Sequence, residues 1–245
     1  NFPKGKPPIS IIEDGPIRII VEAIFVHDAS YIVQRYIVNK NRPIVHIEQV
    51  IFWTEHDKKL RLELIHAPKL SKIEVEKAYS IEDETKTPGA EAGVEKDMQH
   101  FLRLSGKGGA FAVISHGTHS YAHKGGQLQM GILRSPGYGT HETELPKDFD
   151  RYLNRYIIRQ DQGLRNAKFT LLFGERAATR DAVARASYEC NVPLEPFIYF
   201  PTLKTKKKAK SRSFASTDAK NVLVTAIKKA EEGDELVIRL WETAG

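Results

Sequence analysis

Cysteine is nearly absent from this 245-residue sequence, and long apolar runs are absent altogether. The single Cys190 excludes an internal disulfide and a zinc site built from several cysteines. The longest apolar candidate, Ile17–Val26, is interrupted by Arg18 and Glu22 and falls short of the roughly 18 residues that span a membrane as a helix. We therefore expect no membrane partner. Hydrophobic residues at 41% and charged residues at 28% predict a globular, not a disordered, chain.

The positive net charge comes from one short segment. Lysine and arginine number 37 against 31 acidic residues, an excess of 6 that six basic residues between positions 204 and 212 supply entirely. They are Lys204, Lys206, Lys207, Lys208, Lys210 and Arg212. A nucleic-acid-binding face needs basic residues spread over a surface, with aromatic residues among them. We therefore predict a solvated linker here and no nucleic-acid partner, with a nucleic-acid role as the third-ranked alternative.

Apolar and polar residues alternate in short segments, as they do in strands with one solvated face. Within Leu60–Ile65, three leucines alternate with Arg61 and Glu63. Seven further segments rich in Ile, Val, Phe and Tyr are predicted strands: Ile17–Val26, Tyr31–Val38, Ile44–Trp53, Ala110–Ser115, Gln127–Leu133, Lys168–Phe173 and Glu235–Trp241. Strands separated by short turns, without regularly alternating helices, predict antiparallel sheets packed as a sandwich.

Two other segments have a different pattern. Apolar residues recur at helical spacing over Thr179–Cys190, and Pro193 follows its end, so we predict one short helix there. Asn221–Glu232 is ambiguous between helix and strand. Its valines and the turn at Gly233, before another strand, favour a β-hairpin.

Three histidines, His116, His119 and His123, are the most conspicuous candidate metal ligands. The spacing of His119 and His123 suits a zinc site on a helix. However, Gly117 and Gly125 punctuate the segment, which lies between two predicted strands. We interpret it as a polar hairpin tip, with a metal or ligand role as the alternative.

Several motifs resemble glycoside hydrolase family 38, the α-mannosidases. In that family a strand ending in KKAE turns through a Gly/Asp pair into a strand ending in R-L-aromatic-E-x-x-G. The matching residues here are Lys228, Lys229, Ala230, Glu231, Gly233, Asp234, Arg239, Leu240, Trp241, Glu242 and Gly245. Gly131–Tyr138 resembles a strand end of the family, Asp161–Gly163 its D-x-G loop, and Ile47–Ile65 a strand pair built around a tryptophan.

The resemblance implies an all-β fold: a large antiparallel β-sandwich of the galactose mutarotase-like type (a supersandwich) with a short helix, followed by the start of a smaller C-terminal β-domain. The implied domains are a sandwich over 1–200, a basic linker over 201–212 and the start of the second domain over 213–245. The enzymes of this family are retaining glycoside hydrolases. Their N-terminal barrel carries the nucleophile and a divalent metal, usually zinc. We expect no cofactor in this chain, which resembles the non-catalytic C-terminal part.

The implied function follows from that position. The chain is expected to pack on the catalytic barrel of the same polypeptide, to complete the rim of its α-mannoside site and to be inactive alone. The alternative is a free-standing carbohydrate-binding module. The predicted rim residues are Arg134, Tyr138, Asp161, Gln162 and Gly163, with Arg159 and Arg165 as secondary candidates. Arg165 replaces the histidine that follows the D-x-G loop in the family, which leaves substrate specificity open.

Overall fold

Antiparallel strands make up more than half of the residues that the structure describes. The computed structural model describes residues 7–66, 70–87, 93–137, 158–198, 200 and 211–244. In these ranges nine strands form the larger sheet, in the order β1 (Ile9–Asp14), β2 (Arg18–His27), β3 (Ser30–Asn39), β4 (Ile44–Trp53), β13 (Gly163–Phe173), β10 (Gly109–Ser115), β9 (Phe101–Gly106), β6 (Leu70–Lys77) and β7 (Ser80–Asp83). Four form the smaller sheet, in the order β5 (Lys59–Ile65), β12 (Gln127–Arg134), β11 (Ser120–Lys124) and β8 (Lys96–Asp97). Beyond them lie the helix α1 (Arg180–Asn191) and the hairpin of β14 (Val222–Lys229) and β15 (Leu236–Glu242).

The main core lies between the two sheets. Alternate residues of each strand face inward, and the sheets contribute Ile47, Ile51 and Phe169 from one side and Leu128 and Met130 from the other, all fully buried. Burying such side chains is worth about 1.5–3 kcal/mol each. The alternation that predicted the strands is therefore the alternation that builds this core.

A second core lies on the outer face of the larger sheet, under α1. The helix begins where the Thr179 side chain accepts a hydrogen bond from the backbone N–H of Ala182 (3.4 Å), which caps a free helix donor. Val183 is buried in one cluster with Leu223 and Trp241, so the C-terminal hairpin packs on the same core.

Buried charges join the sheet to this second core. The carboxylate of Glu74 on β6 accepts hydrogen bonds from Lys72 (2.9 Å), Arg103 and Arg180 (2.7 Å), and the Glu74 side chain is only 1% exposed. Burial alone would raise the pKa of Glu74, but the three cations outweigh it and lower the pKa. Arg180 also donates to the backbone oxygen of Ala244 (2.7 Å), at the end of the C-terminal hairpin.

The structure confirms the all-β sandwich, the helix predicted over Thr179–Cys190 and the C-terminal hairpin. Each of the eight predicted strands lies largely within an observed one, while β1, β6, β7, β8, β9 and β11 were not predicted. Of the basic linker over 201–212, only the last two residues are described, and both are exposed. Within the described residues, no helix is long and apolar enough to span a membrane.

The Glu74 network yields a stability prediction. Glu74→Gln removes the buried negative charge that pairs with two partly buried arginines, so we expect the free energy of unfolding to fall by about 3 kcal/mol in urea titrations. Glu82→Gln, an exposed site on the neighbouring strand β7, is the matched control and should change it by less than about 0.5 kcal/mol. Equal effects of the two substitutions would contradict the assignment.

Candidate functional site

Three connecting segments meet at one end of the sandwich. Residues 54–58 follow β4, residues 135–137 follow β12, and residues 158–162 precede β13. The strand register brings them together, because Gly163 pairs with Trp53 across β13 and β4, and Arg134 pairs with Lys59 across β12 and β5. Loops at a strand end, held by a rigid scaffold, are the usual place for binding residues.

Ser135 ties the two sheets together at this end. It is fully buried, and its hydroxyl accepts a hydrogen bond from the indole nitrogen Nε1 of Trp53 at 3.2 Å. The backbone N–H of Ser135 donates to the carbonyl of Lys58 (2.9 Å), and its carbonyl accepts from the N–H of Asp57 (2.8 Å). These bonds fix the segment after β12 against the segment after β4.

Asp161 forms a turn that connects to β12. Its backbone φ of 50° and that of Gly163, 85°, both lie in the left-handed region, which glycine adopts most readily. The turn directs the Asp161 carboxylate towards the backbone N–H of Arg134, from which Oδ2 accepts at 3.2 Å. Its Oδ1 lies 3.9 Å from Nε of Arg165. Asp161 therefore positions the end of β12.

Two further side chains hold the same loops. Arg159 donates to the carboxylate of Asp57 at 2.9 Å, which lowers the pKa of Asp57. The amide of Gln162 donates to the backbone oxygen of Glu55 at 2.9 Å. Arg159 and Gln162 thus both join the segment before β13 to the segment after β4.

A polar groove of about 430 Å³ runs from this loop end over the smaller sheet. Its lining includes Lys59, Glu95, Ser120, Arg134 and Asp161. Burial would raise the pKa of Glu95, but the hydrogen bonds from Lys59 and Ser120 outweigh it and lower the pKa. The groove therefore offers fixed donors and acceptors, the chemistry that recognises sugar hydroxyls.

A cluster beside the groove has the composition of a cation site but does not fit a metal ion. His27, Asp28 and Glu55 each place a ligand atom within 4.8 Å of the others. The Lys58 ammonium already lies among them, 2.7 Å from Glu55, 2.9 Å from His27 and 3.5 Å from Asp28. A second cation there would be repelled by this charge. The divalent metal that the resemblance implies is therefore not assigned to these residues.

Comparison with known proteins identifies the family. The family model described as the C-terminal domain of glycosyl hydrolases family 38 matches residues 1–146. The chain belongs to this family. Alpha-mannosidase G of Dictyostelium discoideum is 27% identical over 249 residues, which cover 96% of this chain and 21% of that protein. The chain thus spans about a fifth of the length of this curated relative.

Solved structures support the family 38 fold. The crystal structure of an alpha-mannosidase from Enterococcus faecalis V583 matches 95% of this chain and 29% of its own with a TM-score of 0.70. A family 38 protein of Enterococcus faecalis matches 95% of this chain and 30% of its own with a TM-score of 0.65. Both are 15% identical to this chain, so they establish the fold and nothing finer.

The predicted rim residues that the structure describes lie together in this family 38 domain. Those described are all at the loop end above: Arg134, Arg159, Asp161, Gln162, Gly163 and Arg165. Tyr138 lies outside the described residues. That these residues contact a substrate stays a prediction.

Sequence reasoning missed the other half of the site. A charged run follows the tryptophan of β4 and contains Glu55, Asp57, Lys58 and Lys59. Its position just after a predicted strand could have marked these residues as candidate site residues. Glu95 carried no local signal. It comes into the groove only through the packing of the smaller sheet.

The three candidate metal-binding histidines do not form one site. The His119 ring donates from Nδ1 to the carbonyl of Gln99 at 2.6 Å. His123 lies within β11, is 3% exposed and contacts His66, their Nε2 atoms 2.8 Å apart. The interpretation of a polar hairpin tip is therefore wrong: His116 and His119 lie in a segment that crosses from β10 of the larger sheet to β11 of the smaller one, and His123 is buried within β11.

His116 belongs to a hydrogen-bond chain between the larger sheet and the end of α1. The Nε2 atom of His116 lies 2.9 Å from the hydroxyl of Thr170, and that hydroxyl also lies 2.9 Å from Nδ1 of His46. The His116 ring is in addition hydrogen-bonded to the backbone of Cys190. Burial, reinforced by the nearby Lys168 charge, lowers the pKa of His116 to about 4.

This lowered pKa predicts a loss of stability in acid. Between the ordinary histidine pKa of 6.5 and the folded value of about 4, the unfolded chain binds a proton that the folded chain does not. The free energy of unfolding should therefore fall as pH drops through this window, by about 2 kcal/mol at this half-buried ring. His116→Gln should remove that part of the pH dependence in urea titrations from pH 7.5 to 4. If the His116 ring signal, assigned by its absence from the spectrum of His116→Gln, titrates near 6.5 by NMR, the assignment is wrong.

Proposed function

We propose that this chain is a non-catalytic C-terminal region of an α-mannosidase, a retaining glycoside hydrolase. In this proposal the loop end around Asp161 and Ser135 packs against the catalytic barrel of the same polypeptide. It completes the rim of that barrel's α-mannoside site, and the divalent metal, zinc in most of the family, is held by the barrel. The observation that carries the proposal is membership of the family 38 C-terminal domain, in a chain that spans only 21% of a relative named an alpha-mannosidase.

The chemistry of the groove suits a supporting role. A retaining glycosidase needs a nucleophile and an acid whose pKa is raised, about 5–5.5 Å apart. Glu95 instead has a lowered pKa beside Lys59, and the Asp161 carboxylate accepts a backbone hydrogen bond. Such groups can orient sugar hydroxyls and exclude water from an adjoining site.

Exposed apolar side chains beside the loop end support the packing. Tyr31, Phe52 and Leu164 lie in one row across three strands, because Phe52 pairs with Tyr31 on one side and with Leu164 on the other. The rings of Tyr31 and Phe52 stack at 5.4 Å, and Leu164 is 60% exposed. The row is exposed at Tyr31 and Leu164 and partly buried at Phe52. Such an apolar row adjoining a polar site is typical of a surface that another domain covers.

The C-terminal hairpin supports the proposal that residues 213–245 are the start of a second β-domain. A two-stranded hairpin is marginally stable on its own. One face of β14 and β15 is anchored by Leu223 and Trp241, while Ile227, Leu236 and Ile238 remain exposed. Further strands of the same polypeptide, placed beside this hairpin, would cover them.

The 245-residue chain should not hydrolyse aryl α-mannosides, with or without added zinc. The reason is that the acid and the nucleophile are proposed to lie in the catalytic barrel. The measurement is release of the aryl group over hours at micromolar protein. Turnover that persists through repurification and increases in proportion to the chain would contradict the proposal.

Asp161 gives a test in the full-length enzyme. Asp161→Ala removes the acceptor for the Arg134 backbone, so we expect kcat/KM for an α-mannoside to fall about 10-fold or more, from the loss of a charged hydrogen bond. Asp161→Asn keeps an acceptor oxygen and should retain most of the activity. Asp234→Ala, whose side chain is 98% exposed at the hairpin turn, is the control and should leave kcat/KM unchanged. A melting temperature several degrees lower for Asp161→Ala, with unaltered kinetics, would instead make Asp161 a structural turn residue.

A further inference from the structure

A second pocket, of about 350 Å³, lies at the open end of the sandwich between β2, β3, β4 and the start of β5. We propose that it binds one neutral pyranose ring, at a site separate from the rim groove. Its volume lies in the range of small-molecule sites, which combine mostly apolar walls with a few polar groups at one end.

The walls are apolar because inward-facing residues are left uncovered here. Four strands of the smaller sheet cannot cover nine of the larger one, and among the described residues no strand of the smaller sheet lines this pocket beyond the start of β5. Phe25 pairs with Ile32, which packs against the main core, yet Phe25 is 49% exposed. Trp53 and Leu60 complete the walls. An aromatic ring in a concave wall offers a flat apolar surface to the C–H face of a sugar.

The mouth of the pocket supplies the polar groups. His27 and Lys58 line it, and Asp28 lies 3.5 Å from the Lys58 ammonium. Their side chains are 62%, 44% and 71% exposed, so a ligand can reach all three. The ammonium donates, the carboxylate accepts and the imidazole can do either. Hydroxyl groups, which both donate and accept, match this set.

The charges at the mouth disfavour ionic ligands. The Lys58 ammonium bonds to Glu55 at 2.7 Å, and the charge it carries is offset locally by that carboxylate and by Asp28. An anionic ligand would be attracted by the ammonium but repelled by two carboxylates. A cationic ligand would be attracted by the carboxylates but repelled by the ammonium, so neither gains much binding energy from these charges. A neutral polyhydroxylated ring is repelled by neither kind of charge.

The pocket adjoins the rim but has its own walls. Lys59 lines both the pocket and the groove, and the Trp53 indole that lines the pocket is bonded to Ser135 of the loop end. A longer carbohydrate could therefore occupy the groove and the pocket at once, across Lys59. Only the choice of a mannoside as the first sugar to test rests on the proposed function.

The two tryptophans make a direct binding test possible. Trp53 lines the pocket, whereas Trp241 is buried in the second core, so Trp241→Phe leaves Trp53 as the sole indole of the 245-residue chain. Titrating this variant with methyl α-D-mannoside should change the Trp53 emission saturably, with a dissociation constant of about 1 mM. Adding Phe25→Ala should weaken binding at least 5-fold. Adding Phe173→Ala, a 41% exposed phenylalanine at the far end of β13, should leave it unchanged.

The outcomes separate the alternatives. A Trp53 spectrum typical of a buried indole before ligand is added shows that each variant is folded. No response to the mannoside, to other neutral methyl pyranosides or to a manno-oligosaccharide in the folded protein would overturn the proposal. So would a response that Phe25→Ala leaves intact. Saturable binding of cyclohexanol without binding of any sugar would instead indicate a pocket for an apolar side chain of a neighbouring domain. None of these results changes the expected kinetics of Asp161→Ala. The proposal for the rim and the proposal for the pocket are therefore tested independently.

Discussion

The second core, on the outer face of the larger sheet, depends on the ion pairs of the buried Glu74 carboxylate. A carboxylate that is 1% exposed is tolerable only because Lys72, Arg103 and Arg180 compensate its charge. Arg103 comes from the neighbouring strand and Arg180 from the first turn of α1, so a single group fixes the helix on the sheet. Without α1, the cluster that buries Trp241 would lose its other wall, and the C-terminal hairpin would lose its anchor.

A different kind of constraint holds the loop end. There the bonds run through the buried hydroxyl and backbone of Ser135 to Trp53, Asp57 and Lys58, so the two sheets are linked by short polar bonds at the edge of an apolar core. Arg159, Asp161 and Gln162 join the segment before β13 to the segment after β4 and to the end of β12, so three loops that are far apart in sequence are held to a single geometry. Binding surfaces benefit from such preorganisation, because little conformational entropy remains to be lost when a ligand arrives.

Local patterns were sufficient for most of the fold but for only half of the site. The alternation in β5 and the helical spacing over Thr179–Cys190 are short-range signals, because the period of the side chains depends on neighbours in sequence. The motif residues Arg134 and Asp161 were singled out by the resemblance to family 38, together with their positions at a strand end and in a turn. Glu95 and Lys59 meet them only through strand pairing and sheet packing, which no local pattern encodes. His123 illustrates the converse error, since its polar, glycine-flanked context indicated a tip although tertiary packing buries it.

The ionic groups at the loop end explain why the domain suits positioning better than chemistry. Asp57 is bonded to Arg159, Glu55 to Lys58 and Glu95 to Lys59, and each of these carboxylates has a lowered pKa. A carboxylate stabilised as the anion is a poor general acid, and one already bonded to a cation is a poor nucleophile. The same pairing keeps each side chain in one orientation, which is what a surface that recognises hydroxyl groups requires. The ion pairs that make these carboxylates poor reacting groups therefore make them suitable as fixed hydrogen-bond acceptors, which is the role that the proposed rim requires.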